Sequence, residues 1–142
     1  MGLLRRPLLL WIVCFWIVAV IVGSLLPYGA KQAMGTERTG PIQTPQGQVR
    51  ISVHRIYHFT VFGVMALLGF AAARSRSERA AAAGGVFALG VLIEVAQHLY
   101  YGNELEWWDI RDDGFGVLAG AATFGLARLL IRQSAQRSVK LK

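Results

Sequence analysis

Four long apolar blocks, each bounded by basic or polar residues, organise this chain. The first runs from Leu8 to Leu26 without a charge, between Pro7 and Pro27 and behind Arg5 and Arg6. Its roughly nineteen residues, at about 1.5 Å each in a helix, reach about 28 Å, enough to cross the hydrocarbon core of a bilayer. A cleaved signal peptide is the competing reading. The apolar stretch is longer than such peptides carry, and Ser24-Leu25-Leu26-Pro27 is a poor cleavage site, so a retained span is expected. The second block, Ile56 to Ala73, opens with Tyr57, His58 and Thr60. A tight turn with Arg74, Arg76 and Arg79 leads to the third, Ala80 to Leu99, and the small-residue-rich fourth runs from Gly114 to Ile131. The pattern predicts an all-α polytopic membrane bundle of four transmembrane helices, with spans at about 8–26, 56–73, 80–99 and 114–131 in one domain over 1–142.

Between the blocks, 28–55 is rich in Gly, Gln, Thr and Pro and reads as a loop, with Gln48 to Val53 alternating enough for one short strand. The stretch 100–113 is an acidic connector dense in Tyr and Trp, and the basic tail from Gln133 to Lys142 is expected to fray. No internal repeat or soluble domain is visible.

Composition agrees with this pattern. Hydrophobic residues make up 54% and charged residues only 16%, a membrane balance and not a soluble one. The mean hydropathy of +0.44 points the same way. A net charge of +7 is common in nucleic-acid binders, but here the basic residues sit at block ends and not along one face, so no nucleic-acid partner is expected. Cys14 is the only cysteine, which excludes an intramolecular disulfide and a Cys-based zinc site.

Four spans put both termini on one side. Ten of the fifteen Lys and Arg fall there: Arg5, Arg6, Arg74, Arg76, Arg79, Arg128, Arg132, Arg137, Lys140 and Lys142. Lys31, Arg38, Arg50, Arg55 and Arg111 fall on the other, with most of the acidic residues. The positive-inside rule then predicts cytoplasmic termini, with loops 28–55 and 100–113 extracytoplasmic.

That topology gathers polar groups at one depth in the outer leaflet. Glu94, Gln97 and His98 share one helical face near the end of the third span, Glu94 about 9 Å below its end by helix rise. His54 and His58 are four apart before and in the second span, and Asp109 and Asp113 repeat that spacing at the fourth. The candidate pocket is therefore His58, Glu94, Gln97, His98, Asp109 and Asp113. Each has a plainer reading. Asp109 suits a helix N-cap, with Asp112 three residues later. Glu94, His58 and His98 can serve as interhelical glue, although an intramembrane acid leans towards function. Trp107, Trp108, Tyr100, Tyr101 and Tyr57 fit an interfacial aromatic belt. A metal site can be drawn from His54, His58, Glu94, His98 and Asp109, but no HExxH-type spacing supports it, and no metal or other cofactor is assigned. No P-loop, dinucleotide fingerprint or Ser-based triad is present in the required context. Gly116 and Gly120 form a GxxxG that should let the fourth span pack closely, within the chain ahead of dimerisation, with a weak homo-oligomer left open.

These residues resemble the VanZ-like family of small bacterial integral membrane proteins across nearly all four spans. The family pattern has Leu-Pro near the end of the first span, an Asp-Lys pair before His-Phe in the second, and Glu with Gln three later in the third. A turn with Gly-Arg follows, then an Asp, an Asn four residues on, and glycines three and seven beyond it. Leu26-Pro27, His58-Phe59, Glu94, Gln97, Gly102, Asp109, Gly116 and Gly120 fall at those positions. Arg55 stands for the Lys, His54 for the first Asp, Asn103 for the Arg and Asp113 for the Asn. Losing the Arg removes the obvious anion clamp. The resemblance implies a bacterial plasma-membrane protein of the cell envelope, linked through the family's name to resistance to the glycopeptide teicoplanin.

Two functions are compatible with these residues. In the first, the outer-leaflet pocket recognises a membrane lipid or a lipid-linked cell-wall precursor without catalysis, and Arg55 and Arg111 at its border meet an anionic headgroup. In the second, a membrane enzyme acts on a lipid-linked substrate with Glu94 and His58 or His98 as acid/base groups. Ion passage is disfavoured because four short helices leave little room for a lumen.

Overall fold

The computed structural model of the protein describes residues 5–26, 45–102 and 104–140. These form four helices: α1 (Arg5–Ser24), α2 (Pro45–Ala72), α3 (Arg76–Tyr101) and α4 (Trp107–Lys140). All four contain windows long and apolar enough to cross a membrane. Residues 28–44 of the loop expected at 28–55, with Lys31 and Arg38, and the Asn103 position lie outside the described residues.

Helix boundaries depart from the sequence pattern in one direction: the helices are longer. Residues 45–55, expected as loop with a strand at Gln48 to Val53, are the first turns of α2. The acidic connector shrinks from 100–113 to 102–106, because α3 continues through Tyr101 and α4 begins at Trp107. The tail is helical as far as Lys140. Hydropathy marks where a helix leaves lipid, not where its backbone hydrogen bonds stop. Polar residues continue a helix into the aqueous zone at little cost.

The start and stop of α3 follow local chemistry. Ser75 at the N-cap accepts a hydrogen bond from the Glu78 backbone N–H at 3.0 Å, and the Glu78 carboxylate accepts one from the Arg74 N–H at 2.7 Å. This is a variant of the capping box. At the other end Gly102 adopts φ 66°, a left-handed conformation that glycine reaches without penalty, and donates its N–H to the His98 carbonyl.

Helix α2 is the centre of the bundle and packs against α1, α3 and α4. Val61, Phe62, Met65, Ala66 and Phe70 of α2 form most of the core, joined by Val20, Val86, Ile93 and Val117 from the other helices. Large apolar side chains such as Trp11, Phe15, Leu92, Leu118 and Ile131 remain on the outside. An apolar exterior around a small core is the arrangement that lipid favours, since tails solvate Leu and Phe as well as a protein interior does.

Helices α2 and α4 run parallel, and glycine sets their separation. The Gly116 Cα faces the Phe59 carbonyl and the Gly63 amide so closely that a Cβ there would collide with backbone. A Cβ on Gly120 would come within 2.5 Å of the Gly63 carbonyl oxygen. The expected GxxxG packing is thus found within the chain, against α2. At the end holding the α2–α3 turn, Arg6 and Glu78 approach to 3.5 Å and tie the start of α1 to α3. A cavity there of about 380 Å³ is lined by Phe70, Phe124 and three arginines, Arg79, Arg128 and Arg132.

Candidate functional site

The parallel run of α2 and α4 brings two i, i+4 pairs into register. His54 and His58 occupy adjacent turns of α2, with ring centroids 4.7 Å apart, and Asp109 and Asp113 occupy adjacent turns of α4. His54 Nε2 lies 2.9 Å from Asp109 Oδ2, and His58 Nδ1 lies 2.9 Å from Asp113 Oδ1. The second nitrogen of His58, Nε2, points back towards Asp109 Oδ2 at 3.9 Å. Both aspartates are buried, Asp113 with only 1% of its surface exposed. His58 is nearly covered while His54 keeps 30% of its side chain open, so the cluster has a closed floor and an open mouth.

The floor is built by α2 and α3. Phe62 lies nearly parallel to the His58 ring, at 6.3 Å between centroids. Gly90 of α3 receives the Asp113 carboxylate: a Cβ at Gly90 would collide with Asp113 Oδ2. Glu94, one turn further along α3, is buried at 3% exposure and interacts electrostatically with His58, Asp109 and Asp113. Three carboxylates therefore share one poorly solvated region with two imidazoles.

A second polar group rims the first. Arg55 Nε donates to Asp112 Oδ2 at 2.7 Å, and Arg111 Nη2 donates to Asp112 Oδ1 at 2.7 Å. The Arg111 guanidinium also lies 4.6 Å over the Trp108 ring. One aspartate between two guanidinium groups leaves a net positive charge, and both arginines keep a solvent-accessible edge, at 44% and 35% exposure. Arg55 and Arg111 were expected at the border of the pocket, and their shared partner Asp112 was not.

The structure separates the candidate residues. His58, Asp109 and Asp113 meet directly, and the buried Glu94 lies within electrostatic reach of all three. Gln97 goes elsewhere: its Nε2 donates to the Ser24 carbonyl at 2.9 Å. Tyr101, one turn on, donates its hydroxyl to the Leu25 carbonyl at 2.6 Å. Both side chains cap the C-terminal carbonyls of α1, which have no intrahelical partner. His98 is exposed on the surface of α3. Asp109 is not an N-cap. It is the third residue of α4, the first i to i+4 bond of that helix is accepted by the Glu106 carbonyl, and Oδ2 of Asp109 is directed at His54. An acidic residue in this first turn still suits the helix dipole.

Substituting Gln97→Leu tests the capping role. It removes one bond to an otherwise orphaned carbonyl and should lower stability by about 1 kcal/mol, read as a lower melting temperature in detergent by circular dichroism. Unchanged melting would show that the Ser24 carbonyl finds another donor.

Sequence reading left His54 out of the pocket and named it only as a possible metal ligand, and it missed Gly63 and Gly90, which sit inside apolar blocks. The available signal for the glycines was their position mid-helix, where glycine costs about 1 kcal/mol against alanine unless a neighbour needs the space.

The architecture defines an all-helical chain whose four described helices are long and apolar enough to span a membrane, with a buried His–Asp cluster at one end. Comparison with protein-family models, curated proteins and solved structures gives no match.

Proposed function

We propose that this chain is a VanZ-like protein of the bacterial plasma membrane whose polar pocket, at the extracytoplasmic end, recognises a lipid or lipid-linked cell-wall precursor. The observation that carries the reading is the pairing of a buried acid–imidazole cluster with a cationic rim. Arg55 and Arg111 keep free edges beyond Asp112, and these edges suit an anionic headgroup at the lipid–water boundary. His54 opens the polar interior behind them to hydroxyl or amide groups of the same molecule. Support for cytoplasmic termini comes from charge. Arg6, the α2–α3 turn and the arginine-lined cavity occupy one end, and acidic residues crowd the other. A contribution to teicoplanin resistance follows from the resemblance and belongs to the same proposal.

The test is lipid analysis of the purified full-length protein, beside an Arg55→Ala/Arg111→Ala variant. A phosphate-bearing lipid or cell-wall precursor should co-purify with the parent and be depleted in the variant. Equal lipid profiles in both would remove the rim from the reading. Teicoplanin susceptibility of cells with and without the expressed protein tests the resistance link separately.

A further inference from the structure

We infer that His54, His58 and Asp109 form a binding site for one divalent transition-metal ion of the zinc type. One donor atom from each residue, with Asp109 supplying a carboxylate oxygen, lies within 4.8 Å of the other two. Donors around zinc, each about 2.0–2.2 Å from the metal, sit about 3.3 Å from one another in a tetrahedron. His54 Nε2 and Asp109 Oδ2 are already at 2.9 Å, and His58 Nε2 and Asp109 Oδ2 at 3.9 Å. Small side-chain rotations suffice to close the set.

Three independent features distinguish this cluster from hydrogen-bonded glue between helices. The first is the orientation of His58. Its Nδ1 is held by Asp113 at 2.9 Å, which places the N–H there and leaves the Nε2 lone pair directed at the other two donors. A carboxylate behind a histidine is the usual support for a metal ligand. The second is an orphan acceptor. Asp109 is only 2% exposed, and its Oδ1 meets no N–H donor; the group beside this carboxylate is another acid, Glu106. A buried carboxylate oxygen without a donor is costly, and a cation removes that cost. The third is charge. Glu94, Asp109 and Asp113 act on one another electrostatically, and the described arginines beside the cluster, Arg55 and Arg111, are both engaged with Asp112. A divalent ion adds positive charge among these carboxylates. With two imidazoles and one carboxylate as ligands, the open side at His54 leaves a coordination position for water or for an oxygen of a bound molecule.

The metal site stands whether or not the arginine rim recognises a headgroup, so the two readings fail separately. Its test uses the full-length protein in detergent with any affinity tag removed, loaded with zinc chloride and freed of excess metal by gel filtration. Elemental analysis should find about one zinc per chain. A His54→Ala/His58→Ala variant should lose it, and Asp113→Asn should weaken zinc binding about 10–100-fold. Cobalt(II) loading of the unaltered protein should give the visible absorption bands of a low-coordinate site, and zinc should abolish them. That measurement needs no variant to fold. A protein that retains no zinc and shows no such bands overturns the site, as does a folded double-histidine variant that binds zinc unchanged.

Discussion

Gly116→Leu is expected to force α2 and α4 apart and to abolish the stable bundle. The atoms that face Gly116 are the Phe59 carbonyl and the Gly63 amide, and a Cβ would stand 3.0 Å from the latter and closer to the former. Both are backbone, so no rotamer change relieves the contact. Even Gly116→Ala should destabilise. Overpacking costs about 1–3 kcal/mol, against the roughly 1 kcal/mol that alanine gains over glycine in a helix. Steric cost wins here because the neighbouring helix cannot yield without breaking the His–Asp register above it. At Gly84 and Gly125 a Cβ would meet nothing within 4 Å. Alanine there should be neutral or stabilising by up to about 1 kcal/mol. Thermal unfolding of the set in one detergent checks the contrast, and Gly116→Ala melting as high as Gly125→Ala would refute the close α2–α4 contact.

His58→Ala should cost about 3–5 kcal/mol, the range for removing one partner from a buried ion or hydrogen-bonded charge pair. The loss comes less from the missing bond than from Asp113, which is left almost fully buried against Gly90 with its acceptor unmet. Replacing both residues, His58→Ala with Asp113→Ala, should therefore cost much less than the two single losses together. A double-mutant cycle on unfolding in detergent measures this coupling, expected at about 1 kcal/mol or more. Independent, additive losses would mean that the two side chains do not support each other. Arg55→Ala acts on a half-exposed, solvent-screened pair and should change the melting temperature far less than His58→Ala.

Parts of this site were legible because helical spacing and span parity are linear properties. His54/His58 and Asp109/Asp113 carry the same four-residue interval, and the second and fourth of four spans must run in the same direction. Which polar residue meets which was not legible. Glu94, Gln97 and His98 share a face by spacing. A helix interior is crowded enough that one turn changes the neighbour: Glu94 is buried within electrostatic reach of His58, Gln97 reaches the end of α1, and His98 is exposed. Asp109 had the composition of a cap, but the helix begins two residues earlier, and the same carboxylate becomes a partner for His54.

Sequence by itself determined that the chain is helical, that four segments are long and apolar enough to cross a bilayer, and that costly polar groups lie near the ends of three of them. Segment length, hydropathy and the distribution of arginine suffice for that, because lipid penalises unsatisfied backbone and charge so heavily that few alternatives survive. Tertiary structure alone decided the rest: the extension of α2 back to Pro45, the seating of Gly116 and Gly120 on α2, and the matching of two histidines to two aspartates. Those outcomes depend on the rotation and depth of one helix against another. These are set by backbone contacts at glycine over distances of a few ångströms, which no single segment encodes.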